Sequence, residues 1–313
     1  MSVNWNYLYT DQNPPLWYRV DSEKGMRYLL MVDMDGILVS LPYFSWALFT
    51  DQKPEVVVEH ITFTLKDGRL TCNDEKVKWQ VRLLRPVSEN VESHKVVSWL
   101  PLTSNVEAQM AALHSNVRRK IRKAQKNGVI IKTGGPELSD QFYNIYSLNM
   151  HRLGAPAMAP DFYKRIVEAF GNNGKILIAK YQGRKIGAAL WLKNGDKAEA
   201  CWFATLNDSN ILYTSYLLWW ECIRLACVND CSVFSFGRSS RGSGTHHYKC
   251  QWGTRNSTLY WSYSGPCGQD SFRLGPLKFM LPGRTILSVL WKLMPRFIVR
   301  RLGPLVAGKF YQF

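Results

Sequence analysis

The stretch Phe234-Ser-Phe-Gly-Arg-Ser-Ser-Arg-Gly-Ser-Gly-Thr-His-His-Tyr-Lys-Cys-Gln-Trp-Gly253 is the most informative part of this 313-residue sequence. It starts as an apolar, aromatic strand and continues as a basic, glycine-rich loop. The loop leads to Lys249, which stands between Tyr248 and a Trp-Gly corner. Backbone amides and fixed positive charge in such a loop can stabilise a reacting carbonyl or bind a phosphate. The remaining sequence has no metal cluster, nucleotide fingerprint or nucleophile motif, so we expect the chemistry here.

The elements around this stretch predict an α+β domain. From residue 105 a helix, capped by Ser104 or Asn105, is expected to run to Gly128. The pattern then predicts strands at 129–133, 175–181, 186–193, 197–204, 233–236 and 257–263, and helices at about 139–153, 160–171 and 209–228. A mostly antiparallel sheet with flanking helices is the natural packing of this order.

The N-terminal third is rich in strand patterns. Residues 27–33 and 37–41 are apolar runs joined by an Asp-Gly turn, which predicts a β-hairpin. Further alternating or β-branched runs lie at 54–65 and 77–84. We therefore expect a mixed, strand-rich region up to residue 104.

The charge balance indicates an anionic partner. The chain has 40 basic and 24 acidic residues and a formal net charge of +16, which favours nucleic acid, anionic lipid or a phosphorylated substrate. Arg118, Arg122 and Lys126 recur at i, i+4 and i+8 and would share one helix face. That face is either a binding site for anions or an ordinary solvated surface.

The C-terminal tail is basic and amphipathic. Residues 271–313 contain no Asp or Glu, and Lys292, Arg296 and Arg300 form a stripe within 285–302, which Pro295 should kink. The segment could lie in an anionic membrane interface, or pack on the domain with its basic side chains in solvent.

The cysteines and the N-terminus indicate a cytoplasmic protein. Seven cysteines without CxxC spacing are expected to be reduced and mostly buried, and no metal site is expected. No signal peptide or transmembrane run is recognisable.

Several motifs of the region from 105 to 265 resemble, in order, those of the FemAB/FemX family. They are the basic segment 119–128, Leu153-Gly-Ala-Pro156, Lys185-Ile-Gly-Ala-Ala189, the aromatic helix 213–226, and the pair 234–238 and 248–253. The resemblance implies two tandem GNAT-like domains with mixed, largely antiparallel sheets. We assign 1–104 to an N-terminal half-domain, 105–265 to the acyltransferase domain and 266–313 to the basic helical tail.

The same resemblance implies acyl transfer to an amine, with no tightly bound cofactor. Cell-wall members use aminoacyl-tRNA as donor and a peptidoglycan precursor as acceptor, whereas other relatives use acyl-CoA. Lys249 would then be the catalytic residue, in contact with the acyl ester or the terminal phosphate of the donor. Tyr248 would stack on the terminal base or the acyl group, and Tyr216 on the long helix is a further candidate for substrate binding.

The glycine-rich loop offers a phosphate site. Arg238 and Arg241 could bind phosphate together with the amides of Gly242 and Gly244. Relative to a CoA-binding loop of the Arg/Gln-x-x-Gly-x-Gly/Ala type, these glycines come one residue late, which weakens the CoA interpretation. His246 and His247, if extended, would point to opposite faces and share no metal.

Three functions remain open at this point. The first is aminoacyl transfer from tRNA to a cell-envelope precursor, in the cytoplasm or at the inner face of its membrane. The second is acyl-CoA-dependent N-acylation of a sugar or lipid-linked glycan. The third is non-enzymatic RNA or membrane binding on a degenerate acyltransferase fold.

Overall fold

The computed structural model describes residues 15–34, 36–40, 49–265 and 283–307. Its strands are β1 Leu16–Ser22, β2 Gly25–Asp33, β3 Ile37–Ser40, β4 Phe49–Thr50, β5 Val57–Lys66, β6 Arg69–Cys72, β7 Lys78–Leu83, β8 Val91–Pro101, β9 Ile130–Gly134, β10 Gly174–Tyr181, β11 Arg184–Asn194, β12 Lys197–Thr205, β13 Val233–Ser240 and β14 Arg255–Tyr263. Its helices are α1 Val106–Ala112, α2 Ser115–Lys126, α3 Ser139–Leu153, α4 Pro160–Phe170, α5 Thr214–Val228, α6 Gly244–Cys250, α7 Gly283–Leu293 and α8 Arg296–Ala307.

The strands form one continuous mixed sheet. Their order is β6-β5-β1-β2-β3-β7-β14-β8-β13-β12-β11-β10-β9, with β4 paired to β2. The pairs β1–β5, β3–β7 and β12–β13 are parallel, and the other pairs are antiparallel. The predicted α+β architecture with a largely antiparallel sheet is confirmed.

Strand β8 joins the two halves of the sheet. It precedes the assigned boundary at residue 104, yet it pairs with β13 on one side and β14 on the other. In the described part of residues 15–104 the regular elements are all strands. The sequence pattern predicted the β2–β3 hairpin correctly but did not single out β1 or β8.

The C-terminal half of the sheet is covered by helices on both faces. Successive side chains of a strand point to opposite faces. Accordingly Leu177 and Ala179 pack in a core with α2 and α5, whereas Ile176 and Ile178 pack in a second core with α3 and α4. A third core fills the N-terminal half around Phe63 and Trp79.

Two predicted helices and one predicted loop differ in the structure. The helix expected from 105 to 128 is two helices, because the chain extends at Leu113 and His114 before α2 begins. The helix expected at 209–228 is interrupted at Tyr213, which has a φ of +56°, so that a short 3-10 helix at Asn207–Leu212 precedes α5. Residues 244–250, expected as part of a loop, form α6, which Ser243 caps through the backbone N–H of His246.

The tail forms two helices, α7 and α8, on either side of Pro295, as the predicted kink implies. Both helices contact α3. Trp291, Val299, Gly303 and Ala307 are buried against the domain. Residues 266–282 and 308–313 of the assigned tail lie outside the described residues, as do the side chains of 283–287.

Candidate functional site

The site is a cleft that opens where two neighbouring strands part. Strands β12 and β13 pair only from Lys197–Val233 to Glu199–Ser235. Beyond this point β13 is bulged, because its register with β8 shifts between Ser235 and Arg238 and Gly237 has a φ of +71°. Both strands continue along the wall of a cleft of about 680 Å³.

Four other elements complete the walls. The end of α3 and residues 155–158 lie on one side, and the start of α5 together with α6 on the other. Ala307, the last residue of α8, reaches the rim. Of the predicted site residues, this cleft brings together Lys249, Tyr248, Arg238 and Gly244.

Lys249 projects from α6 into the interior. Its side chain is buried, and its Nζ donates hydrogen bonds to the carbonyl oxygens of Gly237 (3.0 Å) and Arg238 (3.1 Å). Burial lowers the pKa of the Lys249 ammonium to about 7, helped by the charge of Arg238 and opposed by that of Glu199. An ammonium has three N–H donors, so one remains for a bound substrate.

Glu199 supplies negative charge beside this cation. It is buried at the last position of β12 that pairs with β13, and its carboxylate raises the pKa of both Lys249 and Arg238. Burial acts in the opposite direction on Arg238 and lowers its pKa below the ordinary value. Cys201 is hydrogen-bonded to Glu199, and burial, more than this bond, raises the pKa of its thiol. Glu199, Lys249 and Arg238 therefore place opposite charges in a poorly solvated region beside the cleft.

Tyr248 and Tyr216 form a second, aromatic part of the site. The Tyr248 hydroxyl donates to Ser215 Oγ (3.1 Å), and burial raises its pKa. Tyr216 packs edge-on against Tyr248, with ring centroids 5.2 Å apart. However, Tyr216 is buried and lies behind the wall, where its hydroxyl donates to Gln251 and accepts from Lys120. Tyr216 therefore supports Tyr248 from the core instead of lining the cleft.

The basic, glycine-rich segment lies at the rim. Arg241 is exposed and donates to Thr258 Oγ1 (2.7 Å), outside the residues that line the cleft. Gly242 has a φ of +72°, and its N–H donates to His246 Nδ1. The expectation that His246 and His247 lie on an extended segment is wrong, because both belong to α6.

The basic face of α2 lies apart from the cleft. Arg118 and Arg122 line a smaller pocket of about 370 Å³ together with Val106, Met110 and Trp220, and Lys126 is exposed near the end of α2. These three cations therefore do not touch the site that contains Lys249. They form a surface of their own beside α5.

The segment that joins β12 to α5 lacks the features of a phosphate-binding loop. The N-terminus of a long helix after a strand binds phosphate when glycines let the backbone come close. Here residues 206–213 join β12 to α5 without any glycine, and Asp208 pairs there with Arg184 at 2.6 Å. The glycines that resemble a CoA loop precede the seven-residue helix α6 instead.

Sequence reasoning missed Glu199, Cys201 and Tyr146, which all belong to the cleft or its charge cluster. A signal for Glu199 was present, since it is one carboxylate within the apolar run Ala198-Glu-Ala-Cys-Trp-Phe-Ala204. A charge within a buried strand needs a partner. Its partners come from β13 and α6, which the strand pattern does not identify.

Within the described ranges, no three His, Cys, Asp or Glu side chains are grouped so as to hold a metal ion. Of the helices that the structure describes, none has the length and apolar character needed to cross a bilayer.

Comparison with known proteins agrees with this geometry. Residues 111–250 match the family model described as an acetyltransferase (GNAT) domain. Lys249, Glu199 and the residues that line the cleft, except Ala307, fall within the matched range. No curated protein sequence matches the chain.

Solved structures share the fold at low sequence identity. FemX superposes with a TM-score of 0.52 at 11% identity, over 79% of this chain and 88% of that chain. The structure titled L-PGS from Bacillus licheniformis gives 0.52 at 8% identity, over 94% and 93%. The C-terminal domain of a putative lysylphosphatidylglycerol synthetase from Agrobacterium fabrum gives 0.51 at 9%, over 82% and 85%.

Proposed function

We propose that this chain, whose residues 111–250 match an acetyltransferase (GNAT) family model and whose fold is similar to that of FemX, moves an aminoacyl group from aminoacyl-tRNA to an amine. The acceptor is a cell-envelope precursor of the peptidoglycan type, and the reaction takes place on the cytoplasmic side of the membrane. The observation that carries the proposal is the cleft between β12 and β13, with Lys249 buried at its floor.

The reaction is an aminolysis of an ester. The acceptor nitrogen attacks the carbonyl carbon of the aminoacyl ester, a C–N bond forms, and the C–O bond to the ribose breaks. The ribose oxygen leaves with the proton that the amine gives up, so atoms and charge balance. Negative charge develops on the carbonyl oxygen before the C–O bond breaks, and a preorganised donor at that oxygen lowers the barrier.

Lys249 is suited to be that donor. Two of its N–H groups are fixed by the carbonyls of Gly237 and Arg238, so the ammonium is oriented before substrate binds. In a poorly solvated cleft its positive charge acts more strongly than it would in water. Tyr248, beside it on α6, offers a ring on which the acyl group or the terminal base can stack.

The approach to α5 favours tRNA over CoA as donor. A CoA pyrophosphate needs close backbone amides, whereas residues 206–213 lack glycine and carry Asp208. A tRNA instead needs scattered basic contacts along its backbone. The α2 surface with Arg118, Arg122 and Lys126 provides such contacts, and the net charge of +16 agrees with them.

Acyl-CoA-dependent N-acylation of a sugar or lipid-linked glycan is the second candidate. One specific observation favours it, namely the match of residues 111–250 to a family model described as an acetyltransferase domain. In that case Arg238, Arg241 and the amides of Gly242 and Gly244 would hold the phosphates.

The test offers both labelled donors to the protein with an extract of envelope precursors. We expect labelled aminoacyl groups to leave bulk aminoacyl-tRNA, and Lys249→Met to lower this transfer by about 100-fold or more, as loss of an oxyanion donor does. Lys185→Met, which changes an exposed lysine away from the cleft, is the matched control and should transfer normally. Transfer from acetyl-CoA alone would establish the second candidate, and normal transfer by Lys249→Met would remove Lys249 from the mechanism.

A further inference from the structure

The tail helices are fixed on the acyltransferase domain through one face. On α8 the buried residues Val299, Gly303 and Ala307 recur at i, i+4 and i+8. Gly303 lies so close to the domain that a Cβ there would be 3.2 Å from the carbonyl oxygen of Ala157. The tail therefore has a defined inner face and a defined outer face.

The outer face of α8 carries two large apolar side chains with Arg301 between them. Phe297, Arg301 and Leu305 repeat the same spacing on the opposite side of the helix, and Phe297 and Leu305 are 68% and 69% exposed. Leu293 on α7 is 75% exposed, and Val289 and Leu290 are about half exposed. Large apolar side chains at this exposure along two consecutive helices indicate a binding surface.

The charge around this face has one sign only. Lys292, Arg296, Arg300 and Arg301 are exposed, and residues 271–313 contain no Asp or Glu. An apolar helix face flanked by cations, without any carboxylate, is complementary to an anionic bilayer. There the apolar side chains enter the acyl boundary and the cations meet the headgroups.

A small cleft between α3 and α8 offers a place for a headgroup phosphate. It has a volume of about 250 Å³, and its lining includes Arg296, Arg300 and His151. The Nε2 atom of His151 is buried there without a hydrogen-bond partner. Arg300 is held over the ring of Tyr143 at 5.5 Å from its centroid, which leaves guanidinium edges for an anion.

From these observations we propose that the outer face of α7 and α8 docks this protein on an anionic bilayer. Ala307, at the end of α8, lines the cleft together with Leu153 and Pro156, so the docked helices hold the cleft close to the membrane. The acceptor is therefore an amphiphile that presents its amine from the membrane. This conclusion about the acceptor rests on the proposed transfer reaction, whereas the docking itself does not.

The test measures binding of the full chain to vesicles of phosphatidylcholine with and without phosphatidylglycerol. We expect binding to the anionic vesicles, weakened by salt, and a loss of about tenfold or more in Phe297→Ser/Leu305→Ser. Arg296→Gln/Arg300→Gln should lose the preference for phosphatidylglycerol. The control Val56→Ser/Ile130→Ser removes two apolar side chains of similar exposure elsewhere and should bind normally.

Three outcomes overturn the docking. They are no binding to anionic vesicles, undiminished binding by Phe297→Ser/Leu305→Ser, and a dimer in solution that this double variant dissociates.

The acceptor is tested by transfer to a soluble amine and to the same amine on a lipid anchor in the vesicles. We expect Phe297→Ser/Leu305→Ser to lose transfer to the lipid-anchored amine only. Equal loss of transfer to both amines would overturn the amphiphilic acceptor. Normal vesicle binding without transfer to either amine would instead refute the proposed function alone.

Discussion

At the scale of the residue, Lys249 carries a positive charge in a place that disfavours it. Its pKa of about 7 lies well below the ordinary 10.5, chiefly because of burial. Below pH 7 the lysine is charged in both the folded and the unfolded chain, and the cost of burying the charge is fully present. Between about 7 and 10.5 the unfolded chain holds a proton that the folded chain has released, so this contribution to stability rises with pH.

We therefore expect the free energy of unfolding of the native protein, relative to Lys249→Met, to increase from pH 6 to about 9.5. Chemical denaturation of both proteins at the two pH values measures this difference. The contributions of titrating groups that both proteins share cancel when one free energy of unfolding is subtracted from the other. A difference that is independent of pH would show that Lys249 keeps its ordinary pKa in the folded chain.

Glu199 leads to a second prediction at this scale. Replacement by Gln keeps the shape but removes the charge that raises the pKa of Lys249 and Arg238. We expect Glu199→Gln to lower the pKa of Lys249 below 7 and to cost about 3 kcal/mol of stability, because the buried cations Lys249 and Arg238 lose the carboxylate that offsets their charge. The pH dependence of transfer should shift to lower pH, and Glu221→Gln, at a partly buried i,i+3 pair with Arg224 on α5, should leave it unchanged.

At the scale of the element, α6 sets the position of Lys249 and Tyr248. Ser243 caps it, and Asn105 caps α1 in the same way through the N–H of Ala108. Ser243→Ala and Asn105→Ala should each cost about 1 kcal/mol. We expect transfer to fall only in Ser243→Ala, because α1 holds no residue of the cleft. Equal activity of the two variants would mean that α6 stays in place without its cap.

The comparison of sequence with structure is most instructive at α6. Glycines and basic residues predicted a loop through 237–247, and Gly237 and Gly242 do take positive φ values. Gly244 instead begins a helix, since Ser243 supplies the cap. Periodicity predicted the elements around the cleft, and the sequence motif around Lys249 pointed to that residue. The proximity of Glu199 to Lys249, however, depends on the register between β12 and β13. That register is a long-range property that local patterns do not encode.

At the scale of the whole molecule, the continuous sheet makes the two halves depend on each other. A fragment that starts at residue 105, the assigned domain boundary, lacks β8 and leaves β13 and β14 without their shared neighbour. We expect residues 105–313 to be insoluble or to unfold without a cooperative transition, because two strand edges inside the sheet become exposed. A sharp thermal transition of this fragment would establish the region as an independent domain.

The parting of β12 from β13 also affects hydrogen exchange. Central strands of a large sheet normally protect their amides best, since ladder hydrogen bonds hold them on both sides. Beyond Glu199 the ladder from β12 to β13 ends, although β11 still pairs on the other side. Deuterium should therefore enter a short patch in the middle of the sheet as quickly as it enters a surface strand. An acyl donor seated in the cleft would slow that exchange, so the patch reports occupancy without any turnover.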